Sequence, residues 1–244
     1  LGASIYGSVA DVFINADGYK KSIPGPGVGN YITVAKAAAV IRAIIGDEGL
    51  KHRSYVHAHG TSTPQNRVTE SHIINEIAKV NGIGQWPVAA IKCYLGHSLA
   101  VSAGDQLMAA LGTWKYGLIP GIVTSDHLAD DIHNSNLRFL LDHEDVGRTG
   151  MAAVLMNAKG FGGNNASALV LAPHVVDKML RKRHGAAAFD AYGGTTSWIP
   201  CEVNLRPPNP GSLRFHARRG FKEIGRRSYA DDTKEVVDLA RPLA

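Results

Sequence analysis

Cysteine is scarce, with only Cys93 and Cys201 among 244 residues. Two thiols 108 positions apart build no disulfide framework, and such usage fits a reducing compartment. No apolar run approaches the roughly 18 to 20 residues that cross a bilayer, and no basic-then-apolar leader opens the sequence. The expectation is a cytoplasmic chain with no membrane partner. The 27 glycines follow no three-residue period and no repeat of fixed length emerges, which excludes collagen and solenoid arrays. No Cys/His spacing fits zinc, and His52, His57 and His59 alternate poorly with acidic or thiol ligands, so no metal is expected. With 45% apolar and 19% charged residues, what is there is a globular chain of one or two domains, long enough to bury a core.

The net charge of +5 comes entirely from the end of the chain. Residues 1 to 177 hold 13 basic and 14 acidic side chains, whereas 178 to 244 hold 13 and 7. The basic segment Lys178, Arg181, Lys182, Arg183 has no nucleic-acid-binding motif beside it and reads as a solvated helix face, so no nucleic acid partner is expected.

Local patterning alternates strands and helices. Ala3 to Ile14 is rich in small and β-branched residues and predicts a strand. A Pro/Gly loop from Pro24 to Gly29 follows, then a helix over Tyr31 to Ile45. Ser54 to His57 predicts a strand, Gly60 to Gln65 a loop, and Arg67 to Val80 a helix burying Ile73, Ile74 and Ile77. Pro87 to Ile91 is the next strand and Ser98 to Trp114 an Ala- and Gly-rich helix. Gly117 to Asp145 reads as irregular with one short apolar run. Strands over Met151 to Ala158 and Ala166 to Leu171 flank a glycine turn, and Val175 to Tyr192 predicts a helix.

Three constellations carry chemistry. His59-Gly60-Thr61-Ser62-Thr63-Pro64 and Lys92-Cys93-Tyr94-Leu95-Gly96-His97 each follow a strand, where α/β proteins commonly place their sites. The third is the turn Gly160-Phe161-Gly162-Gly163. Two neutral imidazoles can donate hydrogen bonds to a carbonyl oxygen that gains negative charge, and an ammonium such as Lys92 can orient them.

In this order the motifs resemble the C-terminal half of the β-ketoacyl-acyl-carrier-protein synthases, condensing enzymes of the thiolase superfamily, over Leu1 to about Leu171, with an expected continuation through the helix to Tyr192. The resemblance implies an α/β, thiolase-like fold, here the C-terminal half of its duplicated architecture. It makes His59 and His97 the active-site histidines, Lys92 the active-site lysine, and Glu70 the acidic residue of the helix behind the first histidine. Phe161 becomes the gate between acyl pocket and malonyl site, with Thr61, Thr63, Gly162 and Gly163 lining the substrate. His57 reads as structural. The implied reaction is a decarboxylating Claisen condensation: a cysteine thiolate takes an acyl group, malonyl-carrier loses CO2, and the enolate attacks the acyl-cysteine. The substrate arm is the phosphopantetheine of an acyl carrier protein, and no bound cofactor is expected.

The family's nucleophilic cysteine belongs to the N-terminal half, with no counterpart here. Cys93 reads as a small packing residue, and Cys201 lies beyond the resemblance. Arg67 stands where many members carry an acid, and Lys159 where a bulkier apolar residue is frequent. Half of a doubled fold would expose apolar surface, so pairing with an N-terminal synthase half, or with itself, is expected. A non-catalytic partner resembling the chain-length factors is the alternative.

From Gly193 onward the pattern changes. Pro200 to Leu205, then Asn209-Pro210-Gly211-Ser212-Leu213-Arg214-Phe215 and Gly220-Phe221, resemble the C-terminal end of GCN5-related N-acetyltransferases. That implies a partial GNAT-like β-α-β tail over 193–244, after a synthase half over 1–192. Asn209, Ser212 and Phe215 would lie beside coenzyme A, and His216 follows where that family often has a tyrosine. The family's pyrophosphate loop has only a chance match at Lys182 to Ala187, so an acetyl-CoA-dependent N-acetyltransferase is the last reading.

Overall fold

Successive residues of a strand point to opposite faces, and the central strands here are apolar on both. In β2 (Ser54–His57) Val56 joins one buried cluster and Tyr55 the other. In β7 (Ala153–Gly160) Ala153 and Leu155 face one way, Val154 and Met156 the other. Such strands belong inside a sheet covered by helices on both sides. The computed structural model describes residues 5–18, 27–185, 198–206, 210–228 and 235–242. They fall into two compact units, one within Ile5–Asp177 and one from Lys178 onward. The junction expected at Tyr192 to Gly193 lies outside the described residues.

In the first unit, β1 (Ser8–Ala16), β2, β3 (Trp86–Ala89), β5 (Leu137–Phe139), β7 and β8 (Asn164–Leu171) make a mixed sheet of order β1-β8-β7-β2-β3-β5. β1, β8 and β7 pair antiparallel; β7, β2, β3 and β5 pair parallel. On one face α1 (Val28–His52) and α2 (Pro64–Val80) bury Val34, Ala38, Ile41, Ile73 and Ile74 with Leu155 and Leu169. On the other α4 (Ser102–Tyr116) buries Ala110 and Trp114 with Tyr55, Val154 and Val170. Trp114 donates its indole N–H to the Met151 carbonyl at 2.9 Å, so its polar end is satisfied inside the core. A short helix, α3 (Lys92–Leu95), and a 3-10 turn, Leu99–Val101, link β3 to α4.

Most expected elements are found, with shifts that have local causes. The first helix begins at Val28 and continues past Ile45, broken at Gly46, whose φ is +79°. Against the expectation that no run approaches a membrane-spanning length, it is long and apolar enough to cross a membrane by length and composition, but Val34, Ala37, Ala38 and Ile41 on it are fully buried against the sheet. The helix expected from Ser98 starts at Ser102, after the 3-10 turn. The stretch read as irregular holds β4 (Leu118–Ile119), β5, β6 (Glu144–Asp145) and begins before α5 (Gly147–Gly150). Of these β5 is a strand of the main sheet, and at three residues it is too short to show a period. α6 (Pro173–His184) covers the start of the last expected helix; residues 186–192 lie outside the described ones.

The second unit has β9 (Trp198–Arg206), α7 (Pro210–Arg218), β10 (Lys222–Ser228) and β11 (Glu235–Pro242), with the strands antiparallel in the order β10-β11-β9. Gly220, at φ +79°, ends the helix and Phe221 leads into β10.

Candidate active site

The site forms where β2 and β3 end. After His57 the chain leaves the sheet, with the Ala58 N–H donating to the Ala89 carbonyl at 2.9 Å. Gly60 then turns at φ +57°, with Ala90 so close that a Cβ on Gly60 would stand 2.7 Å from it. α2 starts at Pro64, a residue suited to a first turn. From that helix Glu70 reaches back under the loop. One carboxylate oxygen accepts from the His59 N–H (2.7 Å) and Asn157 Nδ2 (2.8 Å). The other accepts from the Gly60 N–H (3.0 Å) and Asn66 Nδ2 (2.9 Å). Burial alone would raise the Glu70 carboxyl, but its electrostatic interaction with His59 where that ring is protonated, the Gly60 N–H, Lys159 and Asn157 outweigh it and hold it below the usual carboxylate value. An ionised carboxylate with four donors locks the loop that presents His59.

Lys92 opens α3 and donates its ammonium to the His59 carbonyl at 2.6 Å. Burial lowers its pKa, against the attraction of Glu70 and Asp105. One turn later Gly96, at φ +72°, swings His97 in until its ring meets that of His59 edge-on at 5.3 Å. Backbone donors fix both imidazoles: the Lys159 N–H donates to His59 Nδ1 at 3.3 Å and the Leu99 N–H to His97 Nδ1 at 3.0 Å. Each Nδ1 is therefore an acceptor, and each Nε2 carries the proton. Burial pushes the His59 pKa down to about 4; Glu70 opposes this while Lys92, His97 and Lys159 add to it. Burial and Lys92 lower His97 in the same sense. Both rings are neutral donors at pH 7.

His59, His97, Lys92, Thr61, Thr63 and Phe161 line one cavity of about 930 Å³. The structure thus gathers the motif residues of both strand ends at one place. Phe161 tops the turn between β7 and β8, 72% exposed, with Gly162 and Gly163 beyond it at φ +80° and +77°. His57 faces away into the core, touching the Tyr55 ring, with no hydrogen-bond partner on either nitrogen among the described residues. Three residues that hold the site were not picked out from the sequence. Asn157 joins Glu70 to Asn30 on α1; Gln106 donates to the Ala58 and Asn157 carbonyls from α4; Leu99 supplies the backbone N–H at φ +57°. Polar residues inside apolar strands and helices, such as Asn157 among Leu155, Met156 and Ala158, were the available signal for the first two. In the tail Ser212 lies on α7, where His216 Nδ1 bonds the Ser212 carbonyl at 2.8 Å. Asn209 and the Phe215 side chain lie outside the described residues.

Residues 6–126 match the family described as the β-ketoacyl synthase C-terminal domain. This stretch is a β-ketoacyl synthase C-terminal domain. The likeness runs beyond it: 193 residues, 79% of the chain, are 57% identical to the β-ketoacyl-[acyl-carrier-protein] synthase FabY of Pseudomonas aeruginosa, of which they cover 30%. The crystal structure of that noncanonical ketosynthase superposes with a TM-score of 0.75 over the same shares of the two chains, at 56% identity. The 3-oxoacyl-[acyl-carrier-protein] synthase 2 of Synechocystis is 32% identical over 170 residues, covering 68% of this chain and 38% of that one. A type II polyketide ketosynthase solved with its acyl-carrier protein shares the fold at a TM-score of 0.56 and 19% identity, over 70% of this chain and 40% of that one. The synthase domain here spans well under half the length of these relatives.

Proposed function

We propose that this chain is the C-terminal part of a β-ketoacyl-ACP synthase of fatty-acid or polyketide synthesis, and that it supplies the enolate-stabilising half of the active site. The observation that carries the reading is the pair of neutral imidazoles, each with Nδ1 engaged by a backbone N–H and Nε2–H left as donor on one cavity wall. Malonyl thioester bound there loses CO2 as its carboxyl C–C bond breaks. The electron pair passes to the thioester oxygen, which accepts hydrogen bonds from His59 and His97. The enolate carbon then attacks an acyl-cysteine and releases the thiolate. Lys92 positions His59 through its carbonyl, and Phe161 gates the cavity. Cys93 does not act as that cysteine: burial raises its thiol pKa, and a nucleophile needs the opposite shift. The thiol comes from another segment or subunit. The substrate arrives on the phosphopantetheine arm of an acyl carrier protein. Two neutral, oriented histidines favour this over a non-catalytic chain-length-factor role, which has no use for them.

With a cysteine-bearing N-terminal segment supplied in trans, His59→Ala lowers condensation by about 100-fold or more and leaves acyl transfer to cysteine intact. Undiminished condensation by the variant removes His59 from the mechanism.

For the tail we propose a partial GNAT-like segment. The order β9, α7, Gly220-Phe221, β10 is the one its motif implies. The sequence shows only a chance match to the pyrophosphate loop, so the expected outcome is that coenzyme A binds more weakly than micromolar; micromolar affinity by calorimetry overturns this.

A further inference from the structure

Lys159 is the one charged group of the cavity to which the reaction above gives no side-chain role. It lies at the end of β7 and lines the cavity with His59 and His97, yet its residue is only 5% exposed. An ammonium has three protons to donate. This one has a single partner among the described residues, Thr69 Oγ1 at 3.5 Å, and that hydroxyl already donates to the Gln65 carbonyl at 2.8 Å. Burial lowers its pKa against the attraction of Glu70 and Asp17, and among the described residues neither carboxylate pairs with it. Glu70 has both oxygens filled by four other donors. Asp17 gives one oxygen to the Gly29 N–H at 2.8 Å, and its other oxygen is buried without a partner. Lys92 is committed to the His59 carbonyl, and the histidines are neutral. The cavity wall therefore carries a desolvated cation with open donor capacity next to the imidazole it holds through its own backbone N–H.

We propose that Lys159 is the carboxylate-recognition residue of this cavity, its ammonium taking the free carboxylate of a malonyl-class thioester while His59 takes the thioester oxygen. The inference rests on the condensing-enzyme reading of the same site and adds a specificity determinant to it. In a malonyl group the carboxylate is one methylene from the thioester carbonyl; Lys159 and His59 both line the cavity, joined by the Lys159 N–H on His59 Nδ1 at 3.3 Å, and the proposed pose sets one short ligand against both. The contact acts on binding and not on bond cleavage. The carboxylate leaves as neutral CO2, so its attraction to the ammonium is present in the ground state and fades in the transition state. Removing the ammonium raises KM for the malonyl substrate without lowering kcat.

The test is binding of malonyl-pantetheine and butyryl-pantetheine to the full 244-residue chain by calorimetry, in wild type, Lys159→Met and Lys159→Arg. The expected result is that wild type prefers malonyl-pantetheine and that Lys159→Met loses roughly tenfold on it with butyryl-pantetheine unchanged. Lys159→Arg, which keeps the charge, retains most of the preference, and unchanged butyryl binding shows that the variants are folded. Equal malonyl binding by wild type and Lys159→Met overturns the inference and leaves the histidine reading standing. Binding of neither thioester by wild type overturns both.

Discussion

His57 is fully buried with both ring nitrogens unbonded among the described residues, so a proton there has nowhere to go. Burial, with Lys92 adding to it, lowers its pKa from 6.5 to about 4. The unfolded chain therefore takes up a proton through the window from pH 6.5 to 4 that the folded chain does not. Stability from this residue is complete above pH 6.5 and falls as pH drops toward 4, by roughly 3 kcal/mol in all. Urea unfolding at pH 7, 5.5 and 4.5 reads the slope, which His59 shares because its pKa is lowered to about 4 as well, and His57→Leu reduces it; an unchanged slope shows that the folded protein protonates His57. Glu70, depressed below its ordinary value, adds a second loss as pH falls below about 4.3. At this scale the two histidines, Lys92 and Glu70 were legible because their motifs are dense. Lys159 was visible as a departure, but its buried, underbonded state was not, because burial is set by α2 and the loop packed over it.

Two glycines with similar dihedrals separate conformational strain from crowding at the scale of the element. Gly46, φ +79°, has open space around its Cβ position, whereas Gly60, φ +57°, meets Ala90 Cβ at 2.7 Å. Gly46→Ala costs about 1 kcal/mol, from the left-handed backbone alone. Gly60→Ala adds a clash with a side chain that cannot rotate away and shifts the loop carrying His59, so it costs about 2 to 4 kcal/mol and weakens thioester binding as well. Thermal melts of the two variants, with malonyl-pantetheine calorimetry, check this; equal losses for both contradict it. β2 and α2 were readable because β-branched runs and i, i+3, i+4 spacing are local signals. β5 was not, since its place beside β3 comes from a partner about fifty residues away.

Taken whole, the first unit covers its sheet on both faces but leaves large apolar side chains in solvent between α3 and α4. Leu95, Leu99, Val101 and Met108 are all more than 60% exposed. Isolated exposed apolar side chains are ordinary; four within fourteen positions beside His97 are a sticky segment. The expected outcome is that the chain by itself self-associates at micromolar concentration and that the double change Leu95→Glu with Met108→Glu shifts it toward monomer. Light scattering that finds a monodisperse wild-type monomer contradicts this.

The sequence by itself determined most of the alternation of strands and helices, the kinship with β-ketoacyl synthases and the motifs that carry His59 and His97, because each depends on residue types at short spacing. Only the tertiary structure decided which nitrogen of each imidazole is the donor, why Glu70 stays ionised in the core, and that Lys159 is nearly buried in the wall of the cavity. Those properties come from backbone N–H groups, carboxylates and helices brought together from distant positions, such as Lys159 against His59 a hundred residues earlier, and protonation and burial follow from that proximity.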